Sequence, residues 1–154
     1  MNSQTNLLQA EVYQIINSCN VCTVGMVDLE GNPYVLPFNF GYSNGKLYIH
    51  SGPTGKKNTI WEKNPKVCIS FSSDYQMNIR HEEVACSYSM KYRSVLVHGK
   101  LVPINGLDEK ARVLNIVMQK YSGRSDFTYG KPALVNVAVF EIEVDKVESR
   151  VYLH

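Results

Sequence analysis

What this sequence has little of narrows its function at once. Sixteen Lys and Arg against fourteen Asp and Glu leave a net charge of only +2. That is too small for the electrostatic footprint of a nucleic-acid binder or of a protein that adheres to an acidic membrane. No apolar run approaches the roughly 20 residues of a membrane span, and residues 1–6 are polar, without the basic start of a signal peptide. Cysteine is sparse: Cys19, Cys22, Cys68 and Cys86 are all there is. Cys19 and Cys22 have CxxC spacing, but no second close pair follows to complete a zinc set, and Cys22 opens an apolar, strand-like run. Packing is therefore favoured over metal or redox chemistry. The expected setting is cytoplasmic, with reduced thiols. There is no Walker loop and no Gly-x-Gly-x-x-Gly, and His81-Glu82-Glu83 lacks the second histidine of a zinc-protease helix. No metal site is expected. Repeats, low-complexity segments and linkers are also missing, so one domain is expected over residues 1–154.

What is present is a strand-rich chain. Hydrophobic residues make up 44% and charged residues 19%, enough apolar character to build a core. Ten tyrosines suit strands, a ligand cleft or a subunit interface. Residues 5–18 have a helical face of Leu8, Val12, Ile15 and Ile16, with Thr5 or Asn6 to cap it. Val21–Val27 is β-rich, and Tyr34–Tyr42 alternates, with Tyr34, Leu36, Phe38, Phe40 and Tyr42 on one side. Ser43-Asn44-Gly45 predicts a hairpin turn, because Asn-Gly supplies positive φ angles, and Lys46–Ser51 is the returning strand. A short helix is expected over residues 54–64, stopped by Asn64-Pro65. Val67, Ile69 and Phe71 line the next strand, and residues 73–91 read as a strand and a long loop. A long strand over Tyr92–Ile104, a helix over Leu107–Tyr121, a loop over 122–132 and a final strand over Leu134–Val147 complete the chain. Six or more strands with few, peripheral helices predict an antiparallel α+β domain, a barrel.

One segment carries chemistry. His50-Ser51-Gly52-Pro53-Thr54-Gly55-Lys56-Lys57 joins a strand end to a helix start. The first N–H groups of a helix lack internal partners and the dipole there favours anions. Two lysines in that first turn oppose the dipole unless an anion sits between them, and a phosphate resolves the conflict. Thr54 can cap the helix or donate its hydroxyl; Gly52 and Gly55 allow close approach. Read from the residues alone this is an anion site or a solvated basic helix start.

The ordered set Asn32-Pro33-Tyr34-Val35-Leu36-Pro37-Phe38-Asn39-Phe40, then Gly45-Lys46-Leu47-Tyr48-Ile49-His50-Ser51, then Gly55-Lys56-Lys57 and Asn64-Pro65-Lys66-Val67, resembles the pyridoxamine 5′-phosphate oxidase-like flavin-binding superfamily. Tyr92-Arg93-Ser94-Val95-Leu96-Val97-His98-Gly99-Lys100 is similar to its nitroimidazole-resistance branch, and the resemblance covers about residues 10–145. It implies a six-stranded split β-barrel of Greek-key type, a homodimer, and one flavin in each interface cleft, FMN or alternatively FAD. By resemblance Lys56 and Lys57 hold the phosphate, with Lys57 matching the recurring lysine. Leu36, Pro37, Phe38 and Asn39 lie along the ring, His50 and Ser51 stand next to the phosphate and ribityl chain, and Tyr92, Arg93 and Ser94 face the same cleft. The true oxidase carries basic residues along the strand that here reads Val35-Leu36-Pro37-Phe38-Asn39, and a basic set near its C-terminus of which only Arg150 remains, so the reading moves away from vitamin B6 oxidation. The implied activity is flavin-dependent reduction of a small electron-poor acceptor, such as a nitroaromatic, by a nicotinamide donor, NADH or NADPH. No committed catalytic group is visible. A flavin-binding or sensing module without turnover, or a pyridoxal phosphate or haem binder on the same barrel, stays open. Among single residues, Arg93 either binds phosphate or pairs with Glu82 or Glu83, His98 is an interface or surface residue, Trp61 is packing, and Asp126–Tyr129 borders the cleft.

Overall fold

A computed structural model describes residues 2–4 and 10–152. The strands are β1 (Asn2–Gln4), β2 (Cys22–Val27), β3 (Pro33–Phe38), β4 (Gly41–Ser43), β5 (Lys46–Ser51), β6 (Lys66–Ile79), β7 (Tyr88–Ile104) and β8 (Ala138–Tyr152). The helices are α1 (Ala10–Ser18), α2 (Lys56–Lys63), α3 (Leu107–Ser122) and α4 (Lys131–Val135), with a 3-10 turn at Ala85–Ser87. The sheet runs β3-β2-β6-β7-β8-β5-β4, with β1 added to β8, and every pairing is antiparallel. The path does not close, as the α+β split barrel requires, and six of its strands are six residues or longer. Among the described residues no helix is long and apolar enough to cross a membrane.

Alternation builds the main core. Cys22, Val24 and Met26 on β2, Val67, Ile69 and Phe71 on β6, and Val95 and Val97 on β7 all turn inward. Helix α1 adds Val12, Ile15 and Ile16, and α2 adds Ile60 and Trp61. A second, smaller cluster of Tyr48, Val113 and Val139 forms where α3 packs on the other face of β5 and β8. Cys19 and Cys22 belong to the main core. Burial pushes the Cys22 thiol up to about 12 and raises Cys19 as well, so neither is a thiolate at neutral pH.

Several expected boundaries move. The first helix is described from Ala10; Leu8 and the expected caps Thr5 and Asn6 lie outside the described residues. The Tyr34–Tyr42 run is two strands broken after Phe38, because Phe40 turns into the core and its N–H bonds the Tyr121 hydroxyl (3.1 Å). The Asn44-Gly45 turn is as expected, with φ of 51° and 74°. Residues 73–91 are mostly hairpin: β6 continues to Ile79 past a bulge at Ser73/Gln76, with Asp74 at φ 59°, and β7 starts at Tyr88. The final strand begins at Ala138 rather than Leu134, because Leu134 and Val135 belong to α4. Pro132 sits in the first turn of that helix, where its missing N–H costs nothing, and Lys110 donates to the carbonyls of Leu134 (2.9 Å) and Val137 (2.8 Å).

Strand β8 also changes phase. A register shift opposite His98/Gly99 leaves Asp145 unpaired. Before it Phe140 and Ile142 are buried; after it Val147 and Ser149 are. Gly99 makes the close approach possible, since a Cβ there would stand 2.2 Å from the Glu143 carbonyl oxygen.

Candidate functional site

Strand β5 ends at Ser51, and Gly52-Pro53-Thr54-Gly55 leads into α2. The helix starts at Lys56, two residues later than expected, with Gly55 as N-cap at φ 126°, ψ 177°. Only glycine adopts that conformation without strain. No side chain caps the helix, so Thr54 stands before it rather than on it. Asn64-Pro65 ends it, the Asn64 N–H reaching the Ile60 carbonyl (2.7 Å). The two lysines of the first turn behave differently. Lys56 leans toward the β2–β3 turn, its Nζ 3.7 Å from Asp28 Oδ2 and 4.5 Å from the centre of the Tyr34 ring. The backbone N–H groups of Asn32 and Glu30, with Lys56 beside them, hold the Asp28 carboxyl below its usual range. Lys57 has no ion-pair or hydrogen-bond partner among the described residues. Its Nζ folds back to 3.7 Å from where a Cβ on Gly55 would sit. The helix start thus presents bare backbone N–H groups, an unpaired ammonium and open access over glycine.

Strand β3 runs beside this helix. Leu36 and Phe38 are half-buried, and Phe38 lies 5.9 Å from Trp61 of α2, ring centre to ring centre. Pro37 is exposed. As an edge strand, β3 bonds β2 on one side and leaves its other row of backbone groups free. Asn39 follows the strand, exposed, with Nδ2 3.5 Å from the Asn20 carbonyl. The structure therefore brings β3 and the Gly52–Lys57 segment together.

His50 and Ser51 do not share a face. Ser51 pairs with Ala138, which packs on the main core, and its hydroxyl donates to the Gly52 carbonyl (2.9 Å). His50 pairs with Val139 and faces the α3 side. Burial lowers its pKa, and its Nδ1 is buried with no hydrogen-bond partner among the described residues.

Tyr92, Arg93 and Ser94 are remote from α2 in the same chain. The Leu101 N–H bonds the Pro65 carbonyl (3.0 Å), tying the C-terminal half of β7 to the end of α2. Arg93 lies eight residues farther up the strand, on the order of 25 Å when extended. There Tyr92 stacks between Tyr75 and Tyr152, at 6.4 and 6.0 Å. Arg93 pairs with Asp74 (3.5 Å), not with Glu82 or Glu83. His98 meets Glu148 across the sheet (3.3 Å). Phe127 and Tyr129 are held by Asn115 of α3.

Sequence reasoning missed Asp28, which occupies one of the two lysines, and two further orphaned atoms on α2, Asn58 Oδ1 and Trp61 Nε1. Asp28 had a signal in the Asp-x-x-Gly-Asn turn; the orphaned atoms depend on packing and had none.

The pattern of the pyridoxamine 5′-phosphate oxidase family matches residues 9–151. A crystal structure of a candidate 5-nitroimidazole antibiotic resistance protein from Bacteroides thetaiotaomicron is 38% identical, with 97% of this chain and 90% of that chain covered and a TM-score of 0.78. Two others share the fold at lower identity. An FAD and heme binding protein from Mycobacterium smegmatis is 18% identical, covering 100% of this chain and 75% of its own, with a TM-score of 0.83. A flavocytochrome from Azotobacter vinelandii is 19% identical, covering 99% and 70%, with a TM-score of 0.82. No curated protein matches. The edge strand beside a basic helix start, the unclosed barrel and a family match over nearly the whole length lead to one conclusion: this chain belongs to the pyridoxamine 5′-phosphate oxidase family.

Proposed function

We propose that this protein binds a flavin, FMN or FAD, with its phosphate at Gly55–Lys57, and uses it to reduce a small, electron-poor acceptor with electrons from a nicotinamide donor. The observation that carries the reading is Lys57. It is a cation unpaired among the described residues, in the first turn of a helix that has no acidic residue there and no side-chain cap. A phosphate removes that conflict by accepting from the ammonium and from the free N–H groups together. Lys56, shared with Asp28, contributes less. The flavin supplies the redox chemistry when bound, and the chain binds, orients and shields it. The free edge of β3 at Leu36–Asn39 offers backbone groups to a ring laid beside it, with the half-buried Phe38 on the same strand. A nitroaromatic acceptor is favoured by the 38% identical relative named for 5-nitroimidazole resistance.

A homodimer completes the site in this reading. Tyr92, Arg93 and Ser94 do not reach α2 of their own chain, so they serve the cleft of a second copy. The hairpin that carries them has an apolar face suited to burial: Tyr75, Met77, Ile79, Tyr88 and Met90 are all exposed, and Met77 opposes Met90 as Ile79 opposes Tyr88.

The absorbance spectrum of purified protein tests the proposal. Flavin bands are expected, and anaerobic addition of NADH or NADPH should bleach them. A protein that stays colourless after incubation with FMN and FAD sinks the reading. Flavin that does not bleach identifies a binding module without turnover, and a Soret band identifies a haem protein.

A further inference from the structure

A cavity of about 530 Å³ lies between α2 and the β7–β8 pair. Leu101, Pro103 and Phe140 wall the sheet side, and Asn58, Trp61 and Glu62 come from the helix. Its size falls in the range of small-molecule pockets, about 300–1,000 Å³. Two polar atoms on this lining are unusual. Trp61 is 5% exposed, with its ring edge-on to Phe140 at 5.2 Å, and its Nε1–H has no acceptor among the described residues. Asn58 Nδ2 donates to the Gly52 carbonyl (3.2 Å), which fixes the amide orientation and leaves Oδ1 buried with no donor among the described residues. Indole nitrogen can only donate, and an amide oxygen can only accept. The two residues are three apart on one helix and so share a face. Buried polar groups nearly always have partners, so a neighbouring donor and acceptor, both unmet beside an apolar cavity, define what is missing.

We propose that this cavity binds a small, uncharged aromatic carboxamide. Its carbonyl accepts from Trp61 Nε1–H, its N–H donates to Asn58 Oδ1, and its ring packs against Phe140, Leu101 and Pro103. A carboxamide carries acceptor and donor on separate atoms, as two groups one helical turn apart require. A carboxylate has no donor for Asn58 and meets the charge of Glu62 on the same lining. A ketone satisfies Trp61 alone. The proposal does not rest on the flavin reading.

Benzamide is the probe, titrated into the full chain with and without bound flavin and followed by calorimetry and by the emission of Trp61, the only tryptophan. Saturable binding is expected, with benzoate and acetophenone each about tenfold weaker, the discrimination that one buried hydrogen bond supplies. Asn58→Ala is expected to weaken benzamide by a similar factor while keeping the tryptophan reporter. Trp61→Phe, followed by calorimetry, is expected to do the same. Failure of benzamide to saturate means that water alone serves the two atoms, and overturns the proposal. So does equal binding of benzamide and acetophenone, a comparison made on the unaltered protein and therefore independent of how the variants fold. Competition between FMN and benzamide assigns the cavity to the flavin and overturns it too.

Discussion

Helices α2 and α3 obey opposite rules. Helix α3 has Asp108 and Glu109 in its first turn, Lys120 in its last, and Gly123 in the left-handed conformation just beyond. Each charge complements the helix dipole, and Val113 and Val117 fasten the inner face. Helix α2 carries Lys63 correctly in its last turn but two lysines in its first. Its fault is confined to one end. A helix that follows the rules throughout is held by its own sequence, whereas one that breaks them at a single end is built for something that meets it there.

Four experiments press on that contrast. The largest effect is expected for Lys57→Ala, which should weaken flavin retention roughly tenfold to a hundredfold, the worth of a charge-assisted hydrogen bond. Lys56→Ala should cost less, because Asp28 already shares that ammonium. Titration of apoprotein with FMN decides it, and equal losses would erase the distinction between the lysines. In α3, Val113→Ala should lower stability by about 2–3 kcal/mol through lost burial and a cavity, while the folded fraction binds flavin as before. Urea unfolding measures the first and titration the second. Gly55→Ala should cost about 1–2 kcal/mol, since its φ of 126° strains any side chain, and would show whether the α2 start is strained independently of its ligand. The smallest effect separates the helices most sharply. In flavin-free protein, Lys57→Ala should raise stability by about 0.3–1 kcal/mol, by removing a cation from the wrong end of the dipole. A fall would mean that the lysine supports the fold.

His50 links the two regions, since its strand leads into α2 while its ring lies on the α3 side. Its folded pKa is depressed by burial, so the unfolded chain takes up a proton first as pH falls. Stability is therefore full above pH 6.5, the ordinary histidine value, and declines below it until the folded form titrates. Urea midpoints at neutral and mildly acidic pH should show the decline, and His50→Phe should flatten it.

The sequence made α3 fully legible because its periodicity, charges and terminal glycine agree. The alternating Val67, Ile69 and Phe71 were equally plain. Leu134 and Val135 misled, because a short apolar run fits a strand or a buried helix, and Lys110, far off in sequence, decides for the helix. At the site, the basic helix start was readable from residue types alone. The unequal roles of Lys56 and Lys57 were not, since they depend on Asp28 arriving from another turn. The opposite facing of His50 and Ser51 follows from strand alternation and was open to sequence reasoning. The distance of Arg93 from α2 was not, because it depends on how far the hairpin extends.

The unpaired Asp145 in β8 has a consequence for how this chain can change over time. Ahead of that residue the strand keeps inside what it would, by strict alternation, keep outside beyond it. The two halves of β8 are thus written in different frames, joined by one spacer and a glycine opposite that tolerates no side chain. Each half can accept substitutions on its own terms. Deleting Asp145 would join them into one unbroken alternation with Val147 and Ser149 still inward, whereas drawing Asp145 into the ladder as a paired residue would turn both outward at once. What the barrel requires of that position is that its backbone stay out of the ladder, whatever side chain it carries.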